Sequence, residues 1–193
     1  MPNAAFRFLL AIALATLPAA VPAQPVESRD IAVSVVRRGE MIDVDVEFLV
    51  AATPLEVWSV LTDYDHMAEF VSNVSMSRIL RQADEKVEVA QTSRLGIGPF
   101  EFKFDNVREI ELVPLREIRS TVVRGDMASS AFTTRLSPEG GVTRLTNRGR
   151  FLPGRWIPPI IATAVLESEL RKQFGEYRAE ILRRKALAAA TAR

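Results

Sequence analysis

The chain has 193 residues, 48% of them apolar and 25% charged, which suits one globular domain and excludes a low-complexity or fibrous polymer. It has no cysteine, so disulfides, thiol catalysis and cysteine metal sites are excluded, and its single histidine, His66, excludes a histidine-rich metal centre. A formal net charge of +1 gives no electrostatic case for nucleic acid.

Residues 1–23 read as a signal peptide: Arg7 is a weakly basic start, Phe8 to Leu17 a short apolar core, and Val21-Pro22-Ala23 a small-residue cut site before Gln24. The core is short for a bilayer span; a retained anchor is the alternative. The implied compartment is outside the cytoplasm, with a bacterial periplasm expected. Arg7 is the only charge in the segment, so removing it leaves 24 basic against 24 acidic residues and a formally neutral mature chain.

Residues 24–40 hold a weakly alternating segment, Ile31 to Arg37, and a turn at Arg38-Gly39-Glu40. Met41 to Ala51 alternates cleanly. Ile42, Val44, Val46, Phe48 and Val50 share one face, and Asp43, Asp45 and Glu47 the other, so this strand has a wet side and pairs with its predecessor as a hairpin. Thr53-Pro54-Leu55-Glu56 is a helix start: threonine caps, proline suits the first helical position, and glutamate completes a capping box. Trp58 is expected to pack beneath that helix. Asp63-Tyr64-Asp65 breaks it and is placed to cap a second short helix, His66 to Val71.

Strands follow at about 74–82, 86–95, 99–113, 116–124, 127–137 and 141–150, separated by turn-forming residues. Phe100, Phe102 and Phe104 share a face, as do Phe132, Thr134 and Leu136, and Leu145, Asn147 and Phe151. The chain closes in one long helix over Pro158 to Lys185. Its apolar stripe is Ile161, Val165, Leu166, Leu170, Phe174, Tyr177 and Ile181, with Arg178 and Glu180 among the charges on the other faces. Residues 186–193 are an alanine-rich tail expected to fray. The fold class is α+β, a curved antiparallel sheet of about seven strands wrapped round the long helix.

The segment Val50-Ala51-Ala52-Thr53-Pro54-Leu55-Glu56-Val57-Trp58-Ser59-Val60-Leu61-Thr62-Asp63-Tyr64-Asp65 resembles the opening of the START-like superfamily, also called helix-grip or SRPBCC. It is most similar to the branch of polyketide cyclases and coenzyme Q-binding proteins. Phe70 to Val74, Gly125-Asp126, Gly141 to Leu145 and Glu180 to Arg184 match that branch too, so the resemblance covers residues 41–185. It implies a helix-grip domain whose pocket, between sheet and long helix, takes a hydrophobic small molecule or lipid. It transfers no catalytic residue.

The candidate pocket residues are Phe102, Phe104, Phe132, Leu145, Leu166, Leu170 and Phe174, with Gln91, Ser120, Thr134, Asn147 and Tyr177 as inward polar groups that need partners in the chain or in a ligand. Arg108 shares the parity of Phe104, which implies either a bulge or an arginine facing the pocket mouth. His66 beside Asp63 and Asp65 reads as a surface group. Arg148, Arg150, Arg155 and Trp156 flank Leu152-Pro153-Gly154. Arg155 and Trp156 suit transient membrane contact, or Trp156 staples the long helix to the sheet. The expected function is an exported, non-enzymatic carrier of a lipid- or quinone-like molecule, with no cofactor or metal. The alternatives are a cyclase-like or hydrolytic enzyme using the same pocket, and a protein-interaction module pairing through the Ile31 to Arg37 edge.

Overall fold

A computed structural model describes residues 31–97, 100–153 and 163–192. The signal peptide, the start of the long helix and the Arg155–Trp156 segment lie outside the described residues. The strands are β1 (Ala32–Arg38), β2 (Met41–Val50), β3 (Val74–Ala83), β4 (Lys86–Ile97), β5 (Phe100–Val113), β6 (Glu117–Gly125), β7 (Ser129–Glu139) and β8 (Val142–Leu152). The helices are α1 (Pro54–Leu61), α2 (Met67–Phe70) and α3 (Thr163–Thr191). A single 3-10 turn, Tyr64–His66, stands between α1 and α2.

All eight strands join one antiparallel sheet in the order β1-β2-β8-β7-β6-β5-β4-β3. The count is eight rather than about seven because β1 is a full member, paired with β2 from Ala32↔Glu47 to Arg38↔Met41. The two short helices carry the chain from β2 to the opposite edge at β3. Six strands then meander back until β8 closes against β2. Register shifts at Val74/Met76, Ile79/Arg81 and Val107/Arg108 put extra residues into the ladders, and such bulges bend and twist a sheet. The sheet is therefore curved but not closed, and α3 lies in its concavity.

Side-chain alternation explains the two faces. Ile42, Val44, Val46, Phe48 and Val50 of β2 are all buried. On the convex face the acids of β2 meet the arginines of β8: Arg148 Nε lies 2.8 Å from Asp45 Oδ2, and Arg150 Nε 3.8 Å from Asp43 Oδ1. Those two arginines are thus held in a cross-strand ladder. Gly149 between them permits a close approach, because a Cβ there would strike the Ala131 carbonyl and sit 2.6 Å from Cδ1 of Phe132.

The capping box forms as the sequence indicates: Glu56 N–H donates to Thr53 Oγ1 at 3.3 Å, and Thr53 N–H to Glu56 Oε2 at 2.7 Å. Trp58 packs half-buried against the core. The aspartates that follow do not cap. Asp63 takes His66 Nδ1 at 2.6 Å and Arg184 Nη1 at 2.8 Å, while Asp65 Oδ1 accepts the Ile79 amide of edge strand β3 at 2.8 Å. The other edge is treated in the same way, since Val35 N–H of β1 donates to Glu167 Oε1 of α3 at 3.2 Å. An edge amide already engaged by a side chain is a poor template for a partner strand.

Helix α3 runs 29 residues, about 43 Å. It continues through the alanine-rich stretch to Thr191, alanine being the strongest helix former. Leu166, Phe174, Tyr177 and Ile181 are buried as the stripe requires. Arg178 and Glu180 are also buried, at 5% and 7% exposure, so they do not sit on an outer face. Contact with the α1–α2 region brings that side of the helix inside.

Candidate functional site

The concave face does not close completely on α3. An inner cavity of 290 Å³ lies between Leu61, Tyr64 and Met67 of the helical crossover, the middle of β4 to β8, and Leu170 to Tyr177 of α3. An outer cavity of 190 Å³ continues from it under Leu95, Phe104, Met127, Phe151 and Leu166. Asn73, Gln91, Ser93, Arg108, Leu170 and Gln173 line both, so the two are chambers of one pocket.

The sequence-derived candidates divide between these chambers and the solid core. Gln91, Ser120, Phe132, Thr134, Asn147, Leu170, Phe174 and Tyr177 line the inner chamber. Phe104 and Leu166 line the outer one. Leu145 and Phe102 line neither. Leu145 is fully enclosed where β8 faces Phe48 and Leu136, and Phe102 packs half-buried against the core. Strand parity sends both inward, but depth along the strand decides between packing and cavity wall.

Aromatic rings shape the end of the inner chamber. Phe174 meets Phe48 edge-on at 6.0 Å and Tyr177 at 5.9 Å, and Tyr177 meets Phe70 at 5.9 Å. Most polar groups in the walls are satisfied within the chain. Asn147 Nδ2 donates to Thr134 Oγ1 at 2.7 Å. Gln91 Nε2 reaches Ser77 Oγ at 3.2 Å and the Met67 sulfur at 3.1 Å. Tyr177 donates to that same sulfur at 3.1 Å, a weak acceptor.

Arg108 is the residue that the sequence left undecided, and it faces the pocket. It pairs with Val89 of β4 in unbroken register, so its parity with Phe104 holds, and the extra residue of the nearby bulge belongs to β6. Its Nε donates to Ser120 Oγ at 2.6 Å. Among the described residues no carboxylate comes within ion-pair distance of its guanidinium. Burial pulls its pKa down, and the neighbours acting against that shift are the phenols of Tyr177 and Tyr64. Burial pushes both phenols up, Tyr177 to about 12.

Three further wall residues are not among the sequence-derived candidates. Tyr64 sits on the 3-10 turn, 5% exposed, and lines the inner chamber; its hydroxyl is buried and unpaired. Asn73 lines both chambers, and its Oδ1 is also buried and unpaired. Gln173 of α3 completes the shared wall. Tyr64 and Asn73 lie in turns, which carry no periodicity from which a direction could be read, whereas Gln173 falls three residues after Leu170 and four before Tyr177, a helical spacing that could have found it.

Among the described residues no cluster of three histidine, aspartate or glutamate side chains could hold a metal. Among the described residues no histidine or carboxylate lines the inner chamber, and Glu169 is the one carboxylate in the walls of the outer. His66 lies outside both chambers. It is exposed and bonded to Asp63, which raises its pKa.

The family model described as "Polyketide cyclase / dehydrase and lipid transport" matches residues 41–182. No curated protein matches the chain by sequence. Among solved structures, TTHA0849 from Thermus thermophilus superposes with a TM-score of 0.63 at 16% identity, covering 72% of this chain and 97% of that one. The Zhui aromatase/cyclase from Streptomyces sp. R1128 gives 0.61 at 18% identity, over 75% of this chain and 95% of that one. A STAR-related lipid transfer protein from Xanthomonas axonopodis gives 0.63 at 13% identity, over 79% and 98%. At these identities the structures share the helix-grip fold.

Proposed function

The chain belongs to the polyketide cyclase / dehydrase and lipid transport family, and we propose that it is an exported carrier for a hydrophobic or amphipathic small molecule, lipid- or quinone-like, held between the sheet and α3. The observation that carries this reading is the pocket itself: two connected chambers whose walls mix aromatic and aliphatic side chains with a comparable number of polar ones, as an amphipathic guest requires. General acid–base work at neutral pH favours a group titrating near that pH. The inner chamber offers an arginine and two phenols raised away from it. The second reading, a cyclase-like enzyme, draws on the likeness to aromatase/cyclases and on an arginine enclosed beside the cavity. Transient contact of Arg155 and Trp156 with a membrane belongs to the same proposal, and vesicle co-sedimentation weakened in Trp156→Ala supports it.

Leu170 lines both chambers, so Leu170→Trp tests the reading. Overpacking a solid core costs about 1–3 kcal/mol, whereas filling a void costs little. Native mass spectrometry of protein from its own host is expected to show a bound apolar molecule in the parent and none in the variant, with stability retained. Loss of stability, with nothing bound to the parent, overturns the carrier. Chemical conversion of the bound molecule on incubation establishes the enzyme. The same spectra test export, since the recovered chain is expected to begin at Gln24 rather than Met1.

A further inference from the structure

The polar groups left over inside the pocket are mostly of one kind. The terminal N–H groups of Arg108 have no acceptor among the described residues, since its one bond uses Nε. The hydroxyl of Tyr64 is buried and unpaired, and the hydroxyl of Tyr177 donates to a thioether, with Gln173 as its other polar neighbour. All three side chains line the inner chamber. Among the described residues no carboxylate lines that chamber. Glu169 of the outer chamber makes no ion pair with Arg108 and does not figure among the groups that shift it. The segment 154–162 holds no acidic residue. Arg108 is half-buried, and a cation turned to a cavity without an anion is partly desolvated at a cost, to which a buried hydroxyl without an acceptor adds. A ligand can supply both.

We propose that the molecule held here carries an acidic head group, a carboxylate or phosphate, seated between Arg108 and Tyr64 with its apolar body against Phe104, Phe132 and Leu170. This rests on the carrier reading and narrows its ligand class. An arginine fork matches two oxygens of such a head at once, and the phenol donates a further bond. The bond from Arg108 Nε to Ser120 Oγ anchors the fork and leaves its terminal nitrogens free to donate to a ligand. Neutral lipids and quinones of equal size can accept single bonds but bring no charge to Arg108 and no bidentate match, and are discriminated against. Asn73 Oδ1, the unpaired acceptor in the shared wall, accepts a hydroxyl elsewhere on the ligand.

The test is displacement of Nile red, a neutral dye, from the full mature chain. Dye binding that Leu170→Trp leaves unchanged refutes the carrier reading itself, independently of the head group. With dye seated in the pocket, laurate, dodecyl phosphate and 2-naphthoate are compared with dodecanol and 2-naphthalenemethanol. At least one acid is expected to compete about tenfold better than its neutral match, the scale of one hydrogen bond to a charged group. The ratio of laurate to dodecyl phosphate distinguishes the two heads. Arg108→Met is expected to erase the preference while dye still binds. Tyr64→Phe, which removes one unpaired hydroxyl and little packing, is expected to weaken the acids several-fold and leave the alcohols unchanged. Equal competition by acids and alcohols, no competition by any acid, or a preference that survives in both variants overturns the proposal.

Discussion

Arg184 Nη1 stands 2.8 Å from Asp63 Oδ2, and this pair ties the end of α1 to the last third of α3. The same guanidinium donates through Nε to Glu180 Oε1 at 2.6 Å and lies 5.4 Å from the centre of the Phe70 ring. Asp63 uses its other oxygen for His66. The helical crossover that walls the inner chamber is therefore fastened to α3 by a charged cluster as well as by packing.

The first prediction concerns that cluster. The bond to Asp63 raises the pKa of His66. In Asp63→Asn the titration midpoint of His66 is expected to fall toward the ordinary value of about 6.5. In the parent, the histidine's contribution is complete below the ordinary value and disappears as pH rises through the raised one. The chain has one histidine, so its imidazole signals in a proton NMR titration report the shift without assignment. An unchanged midpoint contradicts the geometry.

Glu180 works in the opposite direction. Bonds from Arg183, joined by Arg184, hold its carboxyl down at about 2 against the upward push of burial. A depressed carboxylate stabilises the fold fully above its unfolded value, here 4.5, and loses that contribution as pH falls toward 2. Denaturant midpoints of the parent are expected to drop across that window. Glu180→Gln should start lower at neutral pH and fall less steeply; parallel curves would show that the arginine bonds contribute nothing.

Gly149→Ala is expected to destabilise by about 2–3 kcal/mol, at the upper end for overpacking, because the new methyl meets backbone on one side and the Phe132 ring on the other. Phe132 walls the inner chamber, so the ring is displaced into it. Urea unfolding reads the first effect and loss of dye binding the second. A variant as stable as the parent refutes the close approach.

Leu115, in the turn between β5 and β6, holds a φ of 61°, a conformation that costs a branched side chain about 1–2 kcal/mol. Leu115→Asn is expected to stabilise by roughly 0.5–1 kcal/mol, since asparagine tolerates this region better. Thermal unfolding is the measurement, and a lower midpoint counts against strain at this turn.

Much of the fold is legible wherever a strand has one wet face. The alternation of Ile42 to Val50 and the capping box at Thr53 follow from local chemistry alone, and both stand as read. The site is legible in direction but not in depth. Parity turns Asn147 and Leu145 to the same side of β8, yet one walls a cavity and the other is sealed in the core. Arg178 and Glu180 look solvent-facing by residue type, and only contacts with a distant segment enclose them. Tyr64 is hidden for another reason: a turn has no period, so nothing local aims its hydroxyl at Arg108.

The bond from Val35 N–H to Glu167 joins the sheet's edge to the helix that roofs the pocket. A ligand that enters or leaves by lifting this part of α3 must break that bond on the way. If the roof opens in this way, exchange of the Val35 amide with solvent is expected to follow the fraction of time that the roof stands open, and to slow when a ligand holds it shut. One backbone proton on the rim of the sheet thus serves as a clock for traffic through the interior.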